Sequence, residues 1–125
     1  MNLMMKKSLI SVTLPILLSA CAPTGLYQWG SYESSLYASY KDVSKTEALK
    51  NDLIKQIGES EKNKSKVAPG LYAELGTLFL KSGDAAQAAK LYTKEKETWP
   101  ESTVLMDALI SSANKAAKKS PEQAK

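Results

Sequence analysis

Residues 69–100 read PGLYAELGTLFLKSGDAAQAAKLYTKEKETWP, and this stretch decides the fold. Apolar residues recur three and four apart on both sides of Ser82-Gly83-Asp84, which is the spacing of a helical face. The first helix is expected from about Pro69 to Lys81. Gly83 suits the left-handed position after a helix, and Asp84 suits the next N-cap. Asp84-Ala85-Ala86-Gln87 has the form of a capping box. The second helix extends to about Thr98, and Pro100 stops it. Gly76 and Ala88 are small enough to let two antiparallel helices approach closely. Tyr72, Leu75, Phe79 and Tyr92 are placed to fill the space around that contact.

The pattern Tyr72-x-x-Leu75-Gly76-x-x-Phe79, Ala88-x-x-x-Tyr92 and Pro100 resembles the tetratricopeptide repeat, whose period is about 34 residues. Tyr72 stands where that family has Trp, and Glu95 where it usually has a small residue. Glu95 therefore leaves open how closely the helix that follows packs. The best repeat spans 69–102. One repeat cannot bury its own faces, so residues 29–60 are expected to form a degenerate neighbouring hairpin and a fifth helix to cap the far side. The expected fold is all-α, a short stack of about five helices over 27–119. The resemblance implies that the first helix of the pair lines a concave groove with Ala73, Thr77, Leu80 and Lys81. The family's clamp for acidic C-terminal peptides needs Lys and Asn where this chain has Ala73 and Thr77, which argues against that ligand.

Upstream, Trp29, Tyr32, Leu36 and Tyr40 are spaced for one face of a helix that starts at Gly30 or Ser31 and breaks near 42–44. Aromatics at such spacing usually pack inward, but Tyr27, Trp29, Tyr32, Tyr37 and Tyr40 cover more than one face. Tyr27, Trp29 and Tyr37 are candidates for a platform that meets a partner or a glycan. Ser44-Lys45-Thr46-Glu47 reads as a capping box before a helix to about Ser60, with Ala48, Leu49, Leu53, Ile54 and Ile57 as its stripe. Glu59 to Lys66 reads as a frayed end and a solvated loop. Ser102 or Thr103 caps a fifth helix carrying Val104, Leu105, Leu109, Ile110 and Ala113, with lysines near its end. Residues 120–125 read as a tail.

The N-terminus has Lys6 and Lys7, then an apolar run from about Ser8 to Leu18, too short to span a bilayer. It ends in Leu18-Ser19-Ala20-Cys21, which resembles the lipobox of bacterial lipoproteins. An ordinary secretory signal with a chance cysteine, or an uncleaved anchor helix, are the competing readings. The resemblance implies removal of residues 1–20, lipidation of Cys21, a tether over 21–26 and anchoring by acyl chains such as palmitate. Ala22, in place of Asp, points to the outer membrane, at its periplasmic face, in an enteric-type host.

Composition narrows the function. All 17 basic residues are lysine, histidine is absent and Cys21 is the single cysteine. Without Arg there is no bidentate recognition of phosphate or guanine. The formal charge of +4 loses the contribution of Lys6 and Lys7 in the processed chain, so nucleic acid is not an expected partner. Without His or a free thiol there is no ordinary zinc or copper site, and the commonest general base near neutral pH is missing. No metal, cofactor or catalytic residue is expected, and the chain does not read as an enzyme.

Three blocks carry a resemblance over nearly the whole processed chain. They are Tyr27-x-Trp29-Gly30-x-Tyr32-Glu33-x-x-Leu36-Tyr37, Pro69-Gly70-Leu71-Tyr72-Ala73-Glu74-Leu75-Gly76, and Lys94-Glu95-Lys96-Glu97-x-Trp99-Pro100-Glu101-Ser102. Together they resemble a family of uncharacterised bacterial lipoproteins, typically encoded beside a curli-secretion-channel-like lipoprotein and a second small lipoprotein. The resemblance implies a cell-envelope complex with those neighbours as partners. The expected function is a non-enzymatic scaffold or assembly factor. The alternative is a peptidoglycan- or glycan-binding lipoprotein that uses the exposed aromatics.

Overall fold

At Ser82-Gly83-Asp84 the chain turns back in a Schellman motif. The Asp84 amide donates to the Phe79 carbonyl at 2.9 Å and the Gly83 amide to the Leu80 carbonyl at 3.1 Å. Gly83 takes φ +91°, a conformation that disfavours residues with a Cβ. The Asp84 carboxylate then accepts from the Gln87 amide at 2.9 Å and opens the next helix. This hairpin is the centre of the computed structural model, which describes residues 26, 27 and 29–119. The expected signal peptide, Cys21, most of the tether and the tail lie outside the described residues.

The described chain is all-α, with five helices and no strand among the described residues. They are α1 (Tyr32–Lys41), α2 (Thr46–Lys62), α3 (Leu71–Lys81), α4 (Ala85–Thr98) and α5 (Thr103–Lys119). Short 3₁₀ turns, Val43–Lys45 and Pro100–Ser102, precede α2 and α5. Each helix packs mainly on its sequence neighbours, so the order in the chain is the order in the stack. No described helix is long and apolar enough to cross a membrane.

The core has two parts. Leu49, Leu53 and Ile57 of α2 meet Leu71, Leu75 and Leu78 of α3, with Val67 and Ala68 closing the end and Leu36 of α1 laid on the side. Ala88 and Tyr92 of α4 meet Met106 and Ala113 of α5. Phe79 touches both. The two parts are tied at Gly76, where a Cβ would lie 2.8 Å from the Tyr92 ring and 3.3 Å from the Ala88 carbonyl oxygen. Glycine lets the ring approach the α3 backbone closely. Tyr92 is wholly buried. Thr77 gives its hydroxyl proton to the Ala73 carbonyl at 3.0 Å, so the Tyr92 hydroxyl donates to Thr77 Oγ1 across 3.2 Å.

Several boundaries and faces differ from the sequence expectations. Ser44 does not cap α2. Its amide is taken by the Asp42 carboxylate at 2.9 Å inside the 3₁₀ turn, and α2 begins at Thr46 and continues to Lys62. Pro69 and Gly70 form a turn, and α3 begins at Leu71. Ala48 and Ile54 leave the α2 stripe for solvent, because α1 and α3 cover only the face of Leu49, Leu53 and Ile57. Tyr40 also turns outward, with 81% exposure, since α1 rests on α2 and buries no residue completely. The α5 stripe is Met106, Leu109, Ile110 and Ala113. Val104 and Leu105 lie outside it and are exposed, on the side of α5 turned away from α4.

Glu95 does not loosen the stack. It is buried, with 3% exposure, and its Oε1 accepts from the Gly70 amide at 2.7 Å. The N-cap of α3 is Gly70, which has no side chain to cap with, so the α4 carboxylate supplies the acceptor. Oε2 is buried without a hydrogen-bond partner, although the nearby amides of Tyr72 and Ala73 favour its negative charge. Burial outweighs those amides and pushes the Glu95 carboxyl above its ordinary value.

Candidate functional site: a cleft between α1, α2 and α3

The C-terminal half of α1, the start of α2 and one side of α3 leave a cleft of about 570 Å³ between them. Its apolar lining is Leu36, Leu49 and Leu78. Tyr40 and Val43 stand at the lip, exposed by 81% and 82%. Glu47, Glu74 and Lys81 supply the charges. The lining hydroxyls of Ser39 and Thr46 are occupied, donating to the carbonyls of Leu36 at 2.8 Å and Val43 at 2.7 Å. The Ser35 hydroxyl donates to Asp52 and holds α1 to α2 just behind the cleft. Tyr32 is pushed above its usual value by burial first, and then by the charge of Glu74.

These groups form an apolar floor with a charged rim. Three leucines offer a place for an apolar anchor, and two carboxylates and one ammonium frame it. Among the described residues there is no cluster of side chains that could hold a metal ion.

The sequence-derived groove residues are divided by the fold. Lys81 lines the cleft, but Ala73 and Leu80 pack toward α4 and α5, and Thr77 is engaged with Tyr92. The α3 residues that reach the cleft are Glu74, Leu78 and Lys81. Sequence reasoning missed Glu74, Leu78, Tyr40 and Val43 as cleft residues. The available signal was the exposed spacing of Tyr40 and Val43 around the helix break.

The aromatic candidates are also separated. Tyr27 sets its ring edge-on to Trp99, with centroids 5.6 Å apart. Trp29 stacks on Tyr32 at 6.0 Å and remains partly exposed. Tyr37 is exposed, with the Lys41 ammonium 4.6 Å from its ring centre. They form no single platform. Tyr72 is buried and its hydroxyl donates to Glu61 Oε1 at 2.8 Å, while Lys94 binds the same oxygen at 2.7 Å. Burial, and then Glu61, push the Tyr72 hydroxyl up. The Lys94 bond, and then Tyr72, pull Glu61 down.

Residues 26–109 match the family model described as "Domain of unknown function (DUF4810)". The chain belongs to that family. No curated protein and no solved structure matches it. The family match runs from Leu26 into α5, so the cleft and the Trp99 corner both lie inside it.

Proposed function

We propose that this family member is a non-enzymatic, lipid-anchored scaffold at the periplasmic face of the outer membrane, and that the cleft receives a segment of an envelope partner. The observation that carries the binding reading is the leucine-lined cleft with Tyr40 and Val43 exposed at its lip. Exposed large apolar residues beside a concave apolar surface mark interaction sites. The close contact of Gly76, Ala88 and Tyr92 supports a tetratricopeptide-like hairpin, a fold that presents such grooves. The lipobox-like Leu18-Ser19-Ala20-Cys21 supports the anchor. The partner is an envelope protein, in the concrete version a curli-secretion-channel-like lipoprotein or a second small lipoprotein.

A photo-crosslinking residue at Tyr40 or Val43 in intact cells tests this reading. A discrete adduct at both positions is expected, with none from Lys90 on the outer face of α4. No adduct at the cleft, or equal labelling at Lys90, would overturn it. The glycan-binding alternative has less support, since Tyr27 and Trp29 direct ring contacts to Trp99 and Tyr32. Purified sacculi that retain the protein through Trp29 would favour it.

A further inference from the structure

We propose that the end of the stack built around Trp99 faces the bilayer and places Lys62, Lys64 and Lys66 among anionic lipid headgroups. This inference rests on the lipid-anchored reading above and adds an orientation to it.

Trp99 is where the start of the domain is tied down. The Trp99 indole N–H donates to the Val67 carbonyl at 3.2 Å, the Lys66 ammonium lies 3.5 Å above its ring centre, and Tyr27 packs against it edge-on. Tyr27 is six residues beyond Cys21. Six residues reach ~20 Å at most when fully extended. A lipid on Cys21 therefore holds the Trp99 corner near the membrane surface, whatever path the tether takes.

That corner has the composition of a membrane-facing surface. Lys62, Lys64 and Lys66 are exposed, and none forms a salt bridge with a described residue. Leu26 is exposed beside Tyr27, Trp29 is partly exposed at the start of α1, and Val104 is 87% exposed in the first turn of α5. Basic residues beside apolar and Trp side chains suit the headgroup layer. Glu61 is neutralised by Lys94 at 2.7 Å, and Glu97 and Glu101, each two residues from Trp99, are the exposed acids nearest the indole along the chain, against three lysines. Sequence alone reads residues 59–66 as a solvated loop. Their position beside the point where the tether enters changes that reading.

The cleft lies at the opposite end of α2. A helix of 17 residues sets the two ends ~25 Å apart. An anchored molecule in this orientation offers Tyr40 and Val43 to the periplasm.

The test uses the full chain, processed in cells and reconstituted into vesicles containing phosphatidylglycerol or phosphatidylcholine alone. A fluorophore is placed on Ser65→Cys in the lysine loop or on Ser82→Cys at the far end, and brominated lipid is the quencher. Quenching should be several-fold greater at position 65 than at 82. It should weaken in phosphatidylcholine and in a Lys62→Gln, Lys64→Gln, Lys66→Gln variant whose helix content is unchanged. Mass spectrometry of the N-terminal peptide reports acylation. Unacylated protein would overturn the anchor and the orientation together. Acylated protein with equal quenching at the two positions, or quenching indifferent to anionic lipid and to the three lysines, would overturn this proposal alone.

Discussion

Glu95 illustrates how one residue can serve a contact outside its own helix. Its carboxylate closes the start of α3 from a position 25 residues further along the chain. The helix N-terminus attracts negative charge, but burial opposes it, and burial prevails. As pH rises past the ordinary glutamate value of 4.5, the folded chain therefore releases the Glu95 proton later than the unfolded chain does. The resulting stabilisation is complete below that value and is lost as pH rises through the raised folded value. Glu61 has the opposite sign: its stabilisation is present above 4.5 and is lost as acid takes it through its lowered folded value. Both sides of the Glu61–Lys94 pair are substantially exposed, so its effect is small. Comparing thermal melts of wild type and Glu95→Gln isolates the first term. The melting temperature of wild type relative to the variant should fall as pH rises from 4.5 through the raised folded value. A constant difference would contradict the buried carboxylate.

Among the elements, the α3–α4 hairpin carries the strongest local instructions. Gly83 and Asp84 end one helix and begin the next within three residues. Gly83→Ala leaves the left-handed backbone in place but adds a Cβ, which costs about 1–2 kcal/mol. No heavy atom lies within 4 Å of that Cβ, so backbone strain is the whole effect. Urea unfolding should show a lower midpoint with an unchanged slope. At Gly76 the reason is different. Its φ is ordinary, and the constraint is the Tyr92 ring against the α3 backbone. α1 is the weakest member, since it packs on α2, buries no residue completely and exposes large side chains on its other side.

At the scale of the whole molecule, Trp99 joins parts that are far apart in sequence. It binds the α2–α3 connection through Val67 and Lys66 and receives Tyr27 from the start of the domain. Tyr27→Ala should leave the five helices intact, because Tyr27 lies outside them. The lost edge-on ring contact costs about 0.5–1.5 kcal/mol beyond the area exposed. A modest fall in melting temperature is expected, with faster proteolysis ahead of α1. An unchanged proteolysis rate would mean that Tyr27 does not hold the entry to the stack. The polarity of the stack follows from the same contact, with Tyr27 at the Trp99 end and the cleft at the other.

The sequence by itself determined the helical class, the hairpin at 82–84, the antiparallel order and the absence of histidine and arginine. These depend on hydrophobic period, turn chemistry and composition, which act over a few residues and can be read locally. It misplaced the α2 cap because Asp42 and Ser44 compete for the same turn, and one winds it tighter than the other. Only the tertiary structure decided that Glu95 caps α3, that Glu74 reaches the cleft in place of Ala73 and Thr77, and that Val104 faces solvent. Each depends on how far one helix is rotated against another. A rotation of one residue position exchanges a buried side chain for an exposed one without altering the local pattern that makes the helix.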